Sequence, residues 1–167
     1  MRLALAATLL LAAAPALAQN PAHDPTCSNV RVALPPELSG WSEQAPVAAG
    51  ITAGGGASVV PGQAVLVSLH PANLLTLRPA PQAVTANGGT LTLTIDAPGT
   101  YRVALGGKAW VDLVRDGKAL SAAAHGHGPK CTGVRKMVDF ALTAGSYTIQ
   151  LSGSEASSLA LMVARLG

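Results

Sequence analysis

Past residue 60 the chain alternates. Thr90-Leu91-Thr92-Leu93-Thr94-Ile95 sets Leu91, Leu93 and Ile95 on one face and three threonines on the other, the two-residue period of a half-buried strand. Comparable β-rich runs occupy residues 63–69, 74–77, 133–142, 146–151 and 158–164. Residues 109–115 and 118–120 flank Asp116-Gly117, a pair that supplies the positive φ angles of a type I′ turn, so a hairpin is predicted there. No segment holds a helical period and a cap through three turns, so little helix is expected. The pattern predicts an all-β domain of seven or eight strands.

The turns narrow the architecture. Gly99-Thr100-Tyr101 and Gly145-Ser146-Tyr147 repeat one unit, a glycine two residues ahead of a tyrosine that opens an alternating strand. Gly62-Gln63-Ala64 is a weaker copy without the tyrosine. Unequal spacing excludes a solenoid or a propeller. A phenol just after such a turn is the local signature of a tyrosine corner, whose hydroxyl returns to upstream backbone where the chain crosses between sheets. Two corners predict an antiparallel Greek-key β-sandwich, jelly-roll-like in form. The alternative is two ordinary half-buried strand tyrosines. In either case Gly99, Tyr101, Gly145 and Tyr147 are structural.

The amino-terminal residues set the compartment. Met1-Arg2 carries a positive charge, residues 3–14 are a short apolar run, and Ala16-Leu17-Ala18 offers the small residues a signal peptidase reads. A signal peptide over 1–18 is expected, cleaved before Gln19, and with it a periplasmic or secreted protein. The run is too short for a membrane span, and no transmembrane segment is expected later. An N-terminal extension with a Gly/Ala-rich loop is expected over 19–58, and the sandwich over 59–167. Within the extension, 29–34 reads as a short edge strand stopped by Pro35-Pro36, and 40–58 as a long surface loop tied down if Trp41 packs beneath it. Cys27 and Cys131 are the two cysteines. In an oxidising compartment, an even count without Cys-x-x-Cys spacing predicts one disulfide, with paired thiolate metal ligands as the alternative.

Composition matters by what it removes. Eleven Lys and Arg against eight Asp and Glu leave a net charge of +3, too small and too scattered for nucleic acid, which is not expected as a partner. Lys130, Arg135 and Lys136 beside Asp139 read as a solvated rim. Trp41, Tyr101, Trp110, Phe140 and Tyr147 are too few for the stacked platforms of a sugar site or the lining of a deep apolar pocket. No Gly-x-Ser-x-Gly elbow, paired-carboxylate pattern or phosphate-cradling glycine loop is present, so no catalytic residue is assigned.

What chemistry the chain has is concentrated in His125-Gly126-His127-Gly128-Pro129-Lys130-Cys131. In an extended segment the two imidazoles point the same way and could grip one copper or zinc ion. His70, Asp112 and Asp139 are conceivable third ligands. Two histidines without a third at a defined spacing are not a zinc signature. The other reading is therefore a glycine-rich turn whose imidazoles bond to backbone near the disulfide.

Gly99-Thr-Tyr-Arg-Val-Ala-Leu, Ala109-Trp-Val-Asp-Leu-Val-Arg-Asp-Gly-Lys-Ala-Leu, His125-Gly-His-Gly-Pro-Lys-Cys and Val134-Arg-Lys-Met-Val-Asp-Phe together resemble a group of small exported bacterial β-sandwich proteins. The resemblance covers most of the chain beyond residue 18 and is strongest over 99–151. The label homogentisate 1,2-dioxygenase is often attached automatically to members of that group. That label implies a large cytosolic cupin holding Fe(II) with two histidines and a glutamate. Here the chain has less than half the expected length and carries an export signal. The one such set that can be assembled, His125, His127 and Glu155, spans two strands and a loop. The label therefore is not carried to this chain. The expectation is an exported, non-enzymatic binding or accessory module, with a periplasmic protein or a metal ligand as partner. The alternative is a copper- or zinc-binding protein using the His-Gly-His loop.

Overall fold

A computed structural model describes Cys27, Val30 and residues 32–82 and 86–167. The expected signal segment, its cleavage site before Gln19 and the lead-in up to Cys27 lie outside the described residues. The strands in chain order are β1 (Ala45–Ala48), β2 (Ser58–Val59), β3 (Ala64–Ser68), β4 (His70–Pro71), β5 (Asn87–Ile95), β6 (Gly99–Leu105), β7 (Trp110–Arg115), β8 (Lys118–Ala119), β9 (Ala124–Gly126), β10 (Lys136–Leu142), β11 (Gly145–Ser154) and β12 (Ser158–Arg165).

Eight of them form a jelly roll, with β3-β12-β6-β10 in one sheet and β5-β11-β7-β8 in the other. β1 and β9 extend the first sheet at its two edges, and β2 and β4 both pair with β5. The eight are antiparallel to their neighbours, but β1 joins β3 and β2 joins β5 in parallel, so both sheets are mixed. Seven or eight strands were expected because the four additions are only two to four residues long, too short for a two-residue period to register.

Alternation builds the interior. Leu91, Leu93 and Ile95 of β5, Val103 and Leu105 of β6, and Ile149 and Leu151 of β11 are buried in one core between the sheets, together with Phe140, Leu161 and Val163. Outside the first sheet, the 3-10 turn Pro36–Ser42 lays Leu38 and Trp41 over Ala64, Ala104, Met162 and Ala164. Arg102 fastens that turn, donating two N–H groups to the Asp139 carboxylate at 2.8 and 2.9 Å and a third to Glu37 at 2.8 Å. Outside the second sheet, Gly50 exchanges backbone hydrogen bonds of 2.8 and 2.9 Å with Thr90, and Gln150 Nε2 donates to the Pro79 carbonyl at 2.9 Å. Gly56, at φ +77°, passes so close that a Cβ there would collide with the Thr90 carbonyl.

Three readings of the N-terminal half are corrected. Residues 40–58 are tied down by the buried Trp41, as that reading allowed, but they are not one loop, because β1 pairs along β3 and β2 along β5. The sandwich thus takes in residues ahead of 59. Within 29–34, where 29 and 31 lie outside the described residues, Val30 and residues 32–34 form no strand, and Val30 and Val32 are exposed. Residues 74–77 give only the end of a 3-10 turn, Ala72–Leu74, and one isolated bridge from Thr76 to Thr52.

Both tyrosines sit where the chain changes sheet. Between β5 and β6, Tyr101 Oη donates to the Ala97 carbonyl at 2.8 Å. Between β10 and β11, Tyr147 Oη donates to the Thr143 carbonyl at 2.8 Å and accepts from the Thr143 N–H at 3.1 Å and from Arg115 at 3.0 Å. The Arg115 guanidinium also lies over the Tyr147 ring, 5.3 Å from its centroid. Cys27 and Cys131 form a disulfide across 104 residues, with Cα atoms 5.1 Å apart.

Tyr101→Phe should lower stability by about 0.5–1.5 kcal/mol, one ordinary hydrogen bond, and Tyr147→Phe by about 1–3 kcal/mol, because a charged donor loses its acceptor. Urea unfolding of both variants checks the order, and a Tyr147→Phe curve superimposed on wild type would refute the corner. Reducing the disulfide should remove about 4–5 kcal/mol in the chain-entropy account, read as the difference between oxidised and reduced unfolding curves.

Candidate functional site

β8 is too short to cover β7. It pairs only with Val114 and Arg115, and beyond it the Leu120 N–H reaches the Leu113 carbonyl at 2.8 Å. Among the described residues, no strand therefore pairs with Trp110, Val111 and Asp112 on that side. In the facing sheet β9 is the outermost strand. Between these two edges the sandwich opens into two hollows of about 440 and 240 Å³, which share Trp110, His125 and Lys136.

Strand parity decides what lines them. On β10, Lys136 alternates with Val138 and Phe140 and so follows the core-facing side. His125 on β9 stands in register with Val138, and His127, just past the end of β9, lines the larger hollow with it. Gly128 and Pro129 lead from there to the disulfide at Cys131. The larger hollow takes Lys108, Arg135, Lys136, His125 and His127, with no carboxylate among its lining residues. The smaller is apolar on one side, with Val111, Leu120, Ala122, Val138 and Phe140, and has Asp112 at its margin.

Lys136 is the centre of this arrangement. Its Nζ donates to the Ala109 carbonyl at 3.0 Å and sits 5.1 Å from the centroid of the Trp110 ring, a cation–π contact. Burial pushes the Lys136 ammonium below its ordinary pKa, and the charge of Asp112 opposes that shift without reversing it. Asp112 accepts from Trp110 Nε1 at 3.0 Å. Among the described residues, Lys108, Arg135 and Lys136 join no ion pair. His127 Nδ1 donates to the Arg135 carbonyl at 3.2 Å, which fixes that proton and leaves Nε2 as the ring's other contact atom.

The structure brings His125 and His127 to one cleft, sets Asp112 on its smaller hollow with His125, and leaves His70, Asp139 and Glu155 elsewhere. His70 lies on β4, at the opposite edge of the second sheet, where Nε2 donates to the Ala49 carbonyl at 2.9 Å. Asp139 is held by Arg102. Glu155 follows β11 in an exposed turn. Among the described residues, no three His, Cys, Asp or Glu side chains converge as a metal site.

The solvated-rim reading holds for Lys130 and Arg135, which are exposed, and is corrected for Lys136, half-buried in the cleft, and for Asp139, which faces Arg102. Sequence reasoning passed over Lys136 and Trp110 as site residues. A lysine in phase with Val138 and Phe140 was the available signal. No family model matches the chain, and no curated protein matches it either.

Trp41 is 4% exposed and Trp110 38%, so collisional quenching should report on Trp110. Iodide should quench its emission more strongly than caesium because the lining is cationic. Lys136→Met should narrow that difference, and Trp110→Phe should abolish the quenchable fraction. Equal quenching by both ions in the wild type would contradict the field described here.

Proposed function

We propose that this chain is an exported, non-enzymatic binding module whose ligand site is the cleft between β7 and β9. The observation that carries this reading is the meeting of two hollows at Trp110, His125 and Lys136, the larger flanked by Lys108 and Arg135 and the smaller continuing to Val138 and Phe140. Binding sites are concave, largely apolar and supplied with a few convergent polar groups, and the cleft falls in the usual size range. Its two facing edges rest on a rigid jelly roll, and the disulfide pins the loop beyond His127.

Support for export comes from the amino-terminal pattern and from the Cys27–Cys131 disulfide, which suits an oxidising compartment. No helix among the described residues is long and apolar enough to cross a membrane. The non-enzymatic half of the reading is favoured by the lining itself: among the described residues that line the two hollows with His125 and His127, none is a serine, threonine or cysteine that could serve as a nucleophile.

A panel of acetate, octanoate, benzylamine, glucose, a dipeptide, Cu(II) and Zn(II), read by Trp110 emission and by melting temperature, tests the module. At least one organic probe should shift both signals, since a ligand that binds only the folded state raises the melting temperature. The shifts should be lost in Trp110→Ala. Silence across the panel, or responses that survive in the variant, would overturn the reading. Responses confined to the metal ions and lost in the His125→Ala/His127→Ala double variant would overturn it in favour of copper or zinc binding.

A further inference from the structure

The geometry points to an anionic amphiphile as the occupant of the cleft, a small molecule with a short apolar tail and a single carboxylate or comparable monoanionic head. This inference rests on the binding-module reading and adds the class of ligand. Three observations converge on it.

Charge is the first. Lys108, Arg135 and Lys136 stand around the larger hollow with His125 and His127, and none of the three cations has a carboxylate in contact among the described residues. A half-buried ammonium whose one hydrogen bond goes to the neutral Ala109 carbonyl, with Asp112 nearby but outside ion-pair distance, is stabilised further by an anion that reaches it. A metal cation meets the opposite balance, repulsion from three fixed positive groups.

Shape is the second. The smaller hollow continues from the same Lys136 and Trp110 towards Val138 and Phe140, so a head held at Lys136 directs its tail towards the core between the sheets. Leu120 and Ala122 also line that slot, as does Asp112, whose carboxylate disfavours any second negative group there. A single anionic head with one apolar tail matches this lining.

The third is the free edge of β7. A neutral extended peptide would pair along Trp110–Asp112, but the Ala109 carbonyl at the start of that edge is already taken by Lys136. The ammonium leaves the head-group position as the stronger point of attachment.

Titration of acetate, butyrate, hexanoate and octanoate against Trp110 emission, with octanol, octyltrimethylammonium and octyl sulfate beside them, tests this. Affinity should rise about fourfold per added methylene until the slot is filled, the increment of a buried CH₂. Octanoate should bind at least tenfold more tightly than octanol, and octyltrimethylammonium should not bind. Octyl sulfate distinguishes a general monoanion site, where it matches octanoate, from one shaped for carboxylate, where it falls behind. Lys136→Met should remove the advantage of octanoate over octanol. Ala122→Phe, at an exposed wall position, should flatten the tail series while leaving acetate unchanged. Should Lys136→Met fail to fold, the exposed pair Lys108→Met/Arg135→Met replaces it with a smaller loss in the same direction. Octanol or octyltrimethylammonium binding as tightly as octanoate would overturn the ligand class while leaving the module intact. Octanoate affinity untouched by Lys136→Met and Ala122→Phe would place the ligand elsewhere and overturn it too. Silence from every probe here and in the wider panel would overturn both readings together.

Discussion

Two phenol hydroxyls hold the jelly roll to its path. Each crosses back over four residues to a backbone carbonyl, Tyr101 to Ala97 and Tyr147 to Thr143, at a point where the chain leaves one sheet for the other. A carbonyl at such a bend has no ladder partner, and the phenol supplies one from within the fold. Once the bends are fixed, the registers of β6 against β12 and of β11 against β5 follow, and alternation then decides which residues meet in the core. Tyr147 is the more heavily engaged of the two, because Arg115 at the end of β7 donates to it and lies over its ring. That contact ties the β7–β8 hairpin to the second crossover.

The cleft is a by-product of the same order. β7 carries six residues and β8 two, so the hairpin closes at Arg115 and leaves the opposite end of β7 bare. In the facing sheet, β9 supplies three residues at the edge and then gives way to the loop anchored at Cys131. A longer β8 would have sealed the corner. The site therefore depends on strand length, a property of turns, more than on any single side chain.

Much of this was legible in the chain. The strict alternation of Thr90–Ile95, the Asp116-Gly117 turn and the two Gly-x-Tyr units carry strong local signals, and each meets its expected place; Asp116 and Gly117 do adopt positive φ angles of 51° and 72°. The sheet edges were not legible. β1 pairs with β3 through backbone groups that any residue possesses, so 45–48 gave no periodic signal to read. The site was half visible: the His-x-His spacing announced His125 and His127, but Lys136 was hidden by its charged neighbours. Only the phase of β10, counted from Phe140 and Val138, separates the inward Lys136 from the outward Asp139. Trp110 escaped notice because its exposure depends on β8 ending early.

An uncovered strand edge is also a hazard, since it offers hydrogen bonds to any other chain and invites copies of one protein to join edge to edge. Here the bare stretch of β7 begins beside an ammonium that already occupies the Ala109 carbonyl and stands over the Trp110 ring. A second copy docking there would bring its own Lys136 towards this one and would have to strip water from both. A lysine at this edge is thus the kind of charge that disfavours edge-to-edge pairing, beyond any part it has in holding a ligand.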